Sequence, residues 1–170
     1  MKGNQLLELV EPTENMAHQI LEWRNHPEIR RWMINADEIS REDHLNWWSN
    51  TNTDPGKYVF VCQDHKEPRG IVNFDRVSQH QLRWGFYKLP WAPKGTGYRL
   101  GVSAMTYAFS SLNATSVIGE VVPTNRRSLA LHHRLGFEPI RDNQSPMNET
   151  KTEVLLNILI LTKQRWMNRE

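Results

Sequence analysis

Residues 90–97 concentrate two prolines and two glycines between a strand-like run and a helical pattern. Residues 81–89 read as a strand, and an apolar helical stripe follows the break: Leu100, Ala104, Ala108 and Leu112. Glycines let backbone N–H groups approach a ligand, and the start of a helix adds unpaired N–H donors. The combination is suited to a phosphate or pyrophosphate, although two glycines before a helix also serve as a plain turn.

The remaining pattern predicts an α+β fold with a mixed, mostly antiparallel sheet of about seven strands flanked by helices. Short polar links join three of the strands into an antiparallel meander. We expect a single domain over residues 1–170, because the length suffices for one core and no linker interrupts the chain. The predicted strands are 6–10, 57–63, 70–77, 81–89, 117–122, 137–141 and 151–162. The predicted helices start at Thr13 and span 27–33, 40–48, 98–112 and 125–135.

The composition excludes several classes of protein. With 38% apolar residues and mixed charges, the chain is expected to be globular, and a net charge of +2 does not favour nucleic-acid binding. Cys62 is the only cysteine, so no internal disulfide forms and a cytoplasmic setting is expected. No window reaches membrane-spanning length, so no membrane association is expected. His132 and His133 are adjacent and cannot point at one ion from one helix face, and no metal is expected.

The second half of the chain resembles the GNAT acetyltransferase superfamily. Strand 118–122 is followed by Asn125, by Ser128 three residues later and then by Gly136-Phe137, at the spacing of that family. The glycine turn lies one helix and one strand upstream, as the family requires. The resemblance implies a V-shaped opening between the fourth and fifth strands that holds acetyl-CoA as co-substrate.

The resemblance also implies which residues contact acetyl-CoA. The backbone of three residues on the fourth strand would pair with the pantetheine arm: Gly85, Phe86 and Tyr87. Six residues would cradle the pyrophosphate: Lys94, Gly95, Thr96, Gly97, Tyr98 and Arg99. Asn125, with Ser128 beside it, would contact the pantetheine or the acetyl end. Many members carry Gln or Arg where this chain has Ala92, and Lys94 could take over part of that role.

His132 stands where the family commonly has the tyrosine that protonates the leaving thiolate. An imidazolium, with a reference pKa of about 6.5, is a competent acid, so His132 is a candidate general acid with its own pH response. The helical arrangement places it on the inward side of its helix, whereas His133 lies on the polar side. The alternative is a buried structural histidine beside catalysis by positioning alone.

The acceptor side resembles a narrower branch, the N-acetyltransferases of pseudaminic acid biosynthesis. These acetylate the 4-amino group of a UDP-linked 4-amino-4,6-dideoxy sugar for flagellin glycosylation. The resemblance rests on the run 23–33 and on the later His44. It implies an acceptor site formed by Arg24, Asn25, His26, Trp32, Met33, His44 and Trp48. Arg24 could grip a phosphate, and the tryptophans offer flat surfaces for a sugar or a uracil ring.

Other interpretations stay open from the sequence. The general base could be Glu120 on the fifth strand, His44, or a water relayed by backbone carbonyls. The same fold could acetylate protein N-termini, including ribosomal ones, or another small amine. The chain could also be a non-catalytic acyl-CoA-binding module, an interpretation favoured by the lost tyrosine and by Ala92. The helices of the first third and the last strand could support a homodimer.

Overall fold

The computed structural model describes residues 5–140 and 155–169. Its centre is one seven-stranded sheet in the order β1-β2-β3-β4-β5-β7-β6. The strands are β1 (Glu8–Val10), β2 (Lys57–Asp64), β3 (Glu67–Ser78), β4 (Gln81–Lys88), β5 (Ser116–Val121), β6 (Glu138–Pro139) and β7 (Asn157–Thr162). The helices are α1 (Ala17–Asn25), α2 (Pro27–Arg30), α3 (Arg41–Thr53), α4 (Thr96–Ser110), α5 (Arg126–Leu135) and α6 (Lys163–Met167).

The sheet is mixed, as predicted. Strands β1 to β4 form an antiparallel meander, β5 joins β4 in parallel, and β7 lies antiparallel to both β5 and β6. The parallel neighbour is reached through α4, which is the crossover that a parallel pair needs. The predicted α+β fold is therefore confirmed.

Local chemistry explains where the helices begin and end. The Ser40 hydroxyl accepts a hydrogen bond from the Asp43 N–H (3.1 Å) and donates one to the Asp43 carboxylate (2.8 Å), which caps α3. Helix α2 starts at Pro27, whose missing N–H costs nothing in a first turn. Helix α5 ends at Gly136, whose φ of 100° is in the left-handed region.

Two apolar clusters cover the two faces of the sheet. The larger one joins α4, α5 and α6 to the face that carries Phe60, Phe74 and Trp84. The smaller one joins the first helices to the other face through Ile20, Trp23, Ile29, Val61, Ile71, Leu89 and Ala92. Because side chains alternate along a strand, neighbouring residues of β4 point into different layers. In the described part of the chain, no helix is long and apolar enough to cross a membrane.

Several element boundaries differ from the expectation. Thr13 begins a 3₁₀ turn without a side-chain cap, and α1 starts only at Ala17. Helix α3 runs five residues past Trp48, and α6 was not predicted. The predicted strands 137–141 and 151–162 are shorter than expected, and residues 141 and 151–154 lie outside the described part of the chain.

Candidate active site

The central opening lies where β4 and β5 separate. Residues Gln81 to Trp84 pair with Ser116 to Gly119, and β4 then continues to Lys88 without a partner on that side among the described residues. The backbone N–H and C=O groups of that edge beyond Trp84 are consequently available to an extended, amide-bearing ligand. Gly85, Phe86 and Tyr87 lie on this edge, and their contact with the pantetheine arm stays a prediction.

The glycine turn provides the second part of the opening. Gly95, with φ of 89°, is the N-cap of α4, and nothing lies within 4 Å of the position a Cβ would take. The Thr96 N–H donates to Pro93 O (3.2 Å), whereas the N–H groups of Gly97 and Tyr98 have no backbone acceptor in the described residues. Free N–H groups at the start of a fifteen-residue helix fit a pyrophosphate. The geometry is compatible with a pyrophosphate at the turn, and this contact with coenzyme A stays a prediction.

Arg99 does not point at the turn. Its guanidinium donates to the Asp64 carboxylate (2.7 Å) and to Gln5 O (2.9 Å), which ties α4 to β2 and to the N-terminal segment. The Arg99 bond is also the largest reason that the pKa of Asp64 is lowered. Lys94 remains exposed beside the turn. Ala92 is only 7% exposed and belongs to the smaller apolar cluster.

Asn125 and Ser128 lie at the start of α5. The Asn125 side-chain oxygen accepts a hydrogen bond from the Ser128 N–H (3.1 Å) and caps the helix. Both side chains are half-buried. Thr96, at the start of α4, is buried, and its N–H already donates to Pro93 O. The predicted contacts of these residues with the co-substrate stay predictions.

His132 lies at the apex of the split and is 2% exposed. Its Nδ1 donates to the carbonyl of Ser128 (2.7 Å), so Nε2 is the acceptor for the indole N–H of Trp84 (3.2 Å). Burial lowers the pKa of His132 to about 4, although the bond to Ser128 acts in the opposite direction. The ring is neutral at pH 7 and has no N–H left for a thiolate. The geometry favours the structural histidine over the general acid.

Aromatic rings fill the space around His132. Trp84 stacks on Phe86 (4.3 Å between centroids), and Phe137 meets the histidine edge-on at 4.9 Å. Gly119 leaves the room for this packing, since a Cβ there would lie 2.5 Å from His132 Nε2. Trp84 was not among the predicted site residues. Its bond to His132 joins residues 48 apart in sequence, and no local pattern reveals such a contact.

Two buried polar atoms, one on β4 and one on α1, have no hydrogen-bond partner within the described residues. The hydroxyl of Tyr87 and Nη1 of Arg24 are both inaccessible to solvent, and neither makes a hydrogen bond within the described residues. Arg24 is oriented by Nη2, which donates to Asn35 O (2.8 Å). Burial lowers the pKa of Arg24 and raises that of Tyr87, and the charge of the arginine partly offsets the effect on the tyrosine. The Tyr87 side chain was not part of the predicted acceptor site.

Asn25 and His26, also predicted to bind the acceptor, hold the backbone instead. The Asn25 amide donates to Ile39 O and accepts from the Ile39 N–H, both at 2.8 Å, and so clamps the segment before α3. His26 Nδ1 accepts from the Glu28 N–H (3.2 Å) as the N-cap of α2. These contacts explain the run 24–27 without a ligand, apart from the unpaired nitrogen of Arg24.

His44 is a structural residue in this geometry. It is 5% exposed, its Nε2 donates to Ala17 O (2.7 Å), and it stacks on Trp47. Burial lowers its pKa. Trp48 packs on the smaller cluster and, with Trp47, lines a cavity of about 190 Å³ beside β2. The predicted role of His44 as a base therefore has no support from its contacts.

The remaining predicted residues differ in exposure. Trp32 is exposed with the guanidinium of Arg31 over its ring, and Met33 packs on the smaller cluster.

Glu120 Oε1 lies 2.9 Å from Arg83 Nε. The N–H does not point along that line, so the contact is an ion pair rather than a formed hydrogen bond. Within residues 5–140 and 155–169, no group of three or more His, Cys, Asp or Glu could hold a metal ion.

Three comparisons with known proteins agree with this geometry. A family model described as the acetyltransferase (GNAT) domain matches residues 7–138. The acetyltransferase PseH of Campylobacter jejuni (serotype O:23/36, strain 81-176) is 29% identical over 118 residues, which cover 69% of this chain and 74% of that protein.

Solved structures share the fold. The C. jejuni N-acetyltransferase PseH in complex with acetyl coenzyme A superposes with a TM-score of 0.69 at 20% identity, covering 93% of this chain and 99% of that one. A spermidine N-acetyltransferase from Vibrio cholerae, in complex with CoA and spermine, gives 0.81 at 17% identity, covering 95% and 98%. The chain belongs to the GNAT acetyltransferase family and is an acetyl-CoA-dependent N-acetyltransferase.

Proposed function

We propose that the acceptor is the 4-amino group of a UDP-linked 4-amino-4,6-dideoxy sugar, in pseudaminic acid biosynthesis for flagellin glycosylation. One domain over residues 1–170 would carry both the co-substrate and the acceptor site. The run 23–33 supports this proposal, as does the likeness to the acetyltransferase PseH.

The observation that carries the proposal is that two buried atoms, Arg24 Nη1 and Tyr87 Oη, have no hydrogen-bond partner within the described residues. Leaving a buried donor unsatisfied costs about 1–3 kcal/mol, more if it is charged, so proteins rarely keep such groups without a use. A guanidinium N–H suits a phosphate oxygen, and a phenol can donate to either a phosphate or a sugar hydroxyl. A nucleotide-linked sugar supplies both partners at once. A simple polyamine supplies no partner for the guanidinium, because its protonated amines carry no hydrogen-bond acceptor.

The residues around the split suit direct attack by the amine in a ternary complex. Bound acetyl-CoA supplies an activated acetyl thioester. The free N–H groups on the β4 edge would stabilise negative charge on the carbonyl oxygen. Because Gly119 and Glu120 point to opposite faces of β5, Glu120 lies on the face away from His132, which is the side of Tyr87.

Two protons must be handled at this site, one leaving the amine and one reaching the sulfur. Glu120 is held by Arg83 and remains the candidate base, directly or through water. Both ring nitrogens of His132 are engaged in hydrogen bonds. We therefore propose that water at the open side of the split, rather than His132, protonates the thiolate.

An acceptor panel tests the proposed substrate. The full chain is incubated with acetyl-CoA and a UDP-4-amino-4,6-dideoxy sugar, spermidine, an aminoglycoside or an N-terminal peptide, and the released thiol is recorded. We expect turnover with the UDP-aminosugar to exceed the others in kcat/KM by at least about a hundredfold, since a site that hydrogen-bonds polar groups of its substrate rejects analogues that lack them. Turnover on peptides alone contradicts the proposal, and binding without any turnover points to a non-catalytic acyl-CoA-binding module.

The variant Tyr87→Phe tests the observation itself. Removing a hydroxyl that forms no hydrogen bond within the described residues leaves the free energy of unfolding unchanged or slightly raises it. The KM for the UDP-aminosugar is expected to rise about tenfold, from the loss of one hydrogen bond to a charged or polar group. The KM for acetyl-CoA stays the same. Tyr58→Phe is the matched control, because the Tyr58 hydroxyl accepts from Arg76 (3.2 Å) in the opposite layer. An unchanged acceptor KM in Tyr87→Phe contradicts the role of this pair.

A further inference from the structure

Coenzyme A carries two separate anionic groups, a pyrophosphate and a phosphate on the 3′-oxygen of its ribose. The free N–H groups of Gly97 and Tyr98 suit the pyrophosphate. A 3′-phosphate carries up to two further negative charges and has to be neutralised elsewhere. We therefore expect the 3′-phosphate to pair with a cation near the first turn of α4.

Arg134 is fixed against that first turn. The Cζ of its guanidinium lies 3.9 Å from the centroid of the Tyr98 ring, within the distance of a cation–π contact. Helix α5 packs closely here, since a Cβ on Gly97 would lie 3.9 Å from Leu131 and Leu135 fills the space left by Gly101. The contact therefore places the positive charge of Arg134 against Tyr98, whose backbone N–H has no backbone acceptor among the described residues.

The charge of Arg134 is uncompensated within the described residues. Three other arginines pair with carboxylates: Arg83 with Glu120, Arg99 with Asp64 and Arg165 with Glu138. Arg134 is exposed and forms no such pair. Stacking on a ring occupies only the face of a guanidinium, so the N–H groups on its edge stay available for a bidentate contact with phosphate. Arg169, which donates to Trp166 O, is a second cation that interacts electrostatically with Tyr98.

We propose that Arg134, held in place by the Tyr98 ring, binds the 3′-phosphate of coenzyme A. The arginine contributes through its position on α5, a helix that otherwise serves the thiol end. This assignment rests on acetyl-CoA as co-substrate and does not depend on the identity of the acceptor.

Binding measurements with two ligands separate this contact from all others. The affinities of CoA and of 3′-dephospho-CoA for the acceptor-free protein are measured by calorimetry, for the wild type and for Arg134→Ala. We expect the wild type to prefer CoA by about tenfold or more, the size of one charge-assisted contact. Arg134→Ala should lose this preference and bind both ligands with the wild-type affinity for 3′-dephospho-CoA. In turnover assays, KM for acetyl-CoA rises while kcat is retained.

Two further variants make the test specific. Tyr98→Ala removes the ring and should lose part of the preference, whereas Tyr98→Phe should keep it, because the ring face and not the hydroxyl holds Arg134. Arg41→Ala removes the same charge from the exposed start of α3 and should change neither affinity. Thermal unfolding confirms that each variant is folded, and Arg134→Gln replaces Arg134→Ala if the latter is not.

The proposal is overturned by two results. Equal weakening of both ligands in Arg134→Ala means that the residue serves the pyrophosphate or the fold. Affinities for both ligands that stay at their wild-type values mean that the 3′-phosphate has another partner. Neither result bears on the aminosugar, because no acceptor is present in the measurement.

Discussion

The two ends of the groove proposed for coenzyme A are built in opposite ways. At the phosphate end, Gly95 has open space beside it and Lys94 is exposed. Two N–H groups at the start of α4 have no backbone acceptor within the described residues. At the thiol end, His132 is 2% exposed and both its ring nitrogens are bonded to the protein. A ligand at the phosphate end replaces water, whereas a ligand at the thiol end contacts side chains that are already packed against one another.

The difference suggests a division of labour. The open end supplies affinity, because its donors and cations gain partners only when a phosphate arrives. The closed end supplies position, because Trp84, His132 and Phe137 fix the separation of β4 and β5 before any ligand binds. Substitutions at the closed end should therefore alter stability, and substitutions at the open end should alter binding.

Gly119→Ala should have the largest effect. Its Cβ would lie 2.5 Å from His132 Nε2 and 3.1 Å from Trp84 Nε1, so the bond between those rings has to break. We expect the free energy of unfolding in urea to fall by about 3 kcal/mol, with loss of turnover.

Gly97→Ala is the matched substitution at the open end. Its Cβ would have no contact closer than 3.9 Å, so stability stays the same or rises by about 0.5–1 kcal/mol. The KM for acetyl-CoA should rise, since the methyl group would cover the N–H groups that we predict to bind the phosphates. If Gly97→Ala and Gly119→Ala had the same free energy of unfolding, the proposed difference between the two ends would be wrong.

The pH dependence of stability gives the next largest effect. The pKa of His132 is about 4 in the folded chain and about 6.5 when unfolded, so the unfolded chain binds more protons between these values. Its contribution to stability is complete above pH 6.5 and falls as the pH decreases toward 4. From pH 7 to pH 5 the loss should be about 2 kcal/mol, measured by urea unfolding. His132→Gln should show a flatter dependence.

Turnover of the same proteins tests the general-acid alternative. A neutral, fully bonded ring predicts that kcat shows no ionisation of His132 near pH 6.5. A break in log kcat at that pH in the wild type, absent in His132→Gln, would mean that the histidine donates a proton after all. The closed end would then be catalytic rather than only positional.

Arg99→Gln should have the smallest effect on binding. Because the guanidinium is committed to Asp64 and Gln5, its removal should change the affinity for CoA, measured by calorimetry, by less than about threefold. Lys94→Gln, at the exposed side of the turn, should weaken binding more. A tenfold loss in Arg99→Gln would show that the ion pair with Asp64 opens when coenzyme A binds.

Much of the fold followed from the sequence, because its signals are local. The capping residues Ser40 and Gly136, the breakers at 90–97 and the alternation along β2 to β4 each act within a few positions of the chain. The acceptor residues were harder to predict. Asn25, His26 and His44 look functional as residue types, yet their polar atoms are used by backbone groups of the protein itself.

The sequence alone determined the order of the strands, the glycine turn at the start of α4 and the family, because these depend on residues near each other or at fixed spacing. Tertiary structure decided which polar atoms remain free. Arg99 is paired with Asp64, His132 with Trp84, and Arg134 rests on Tyr98 across two helices. These contacts join residues more than 30 positions apart, and a hydrogen-bonding group can bind a ligand only if the fold has not already satisfied it.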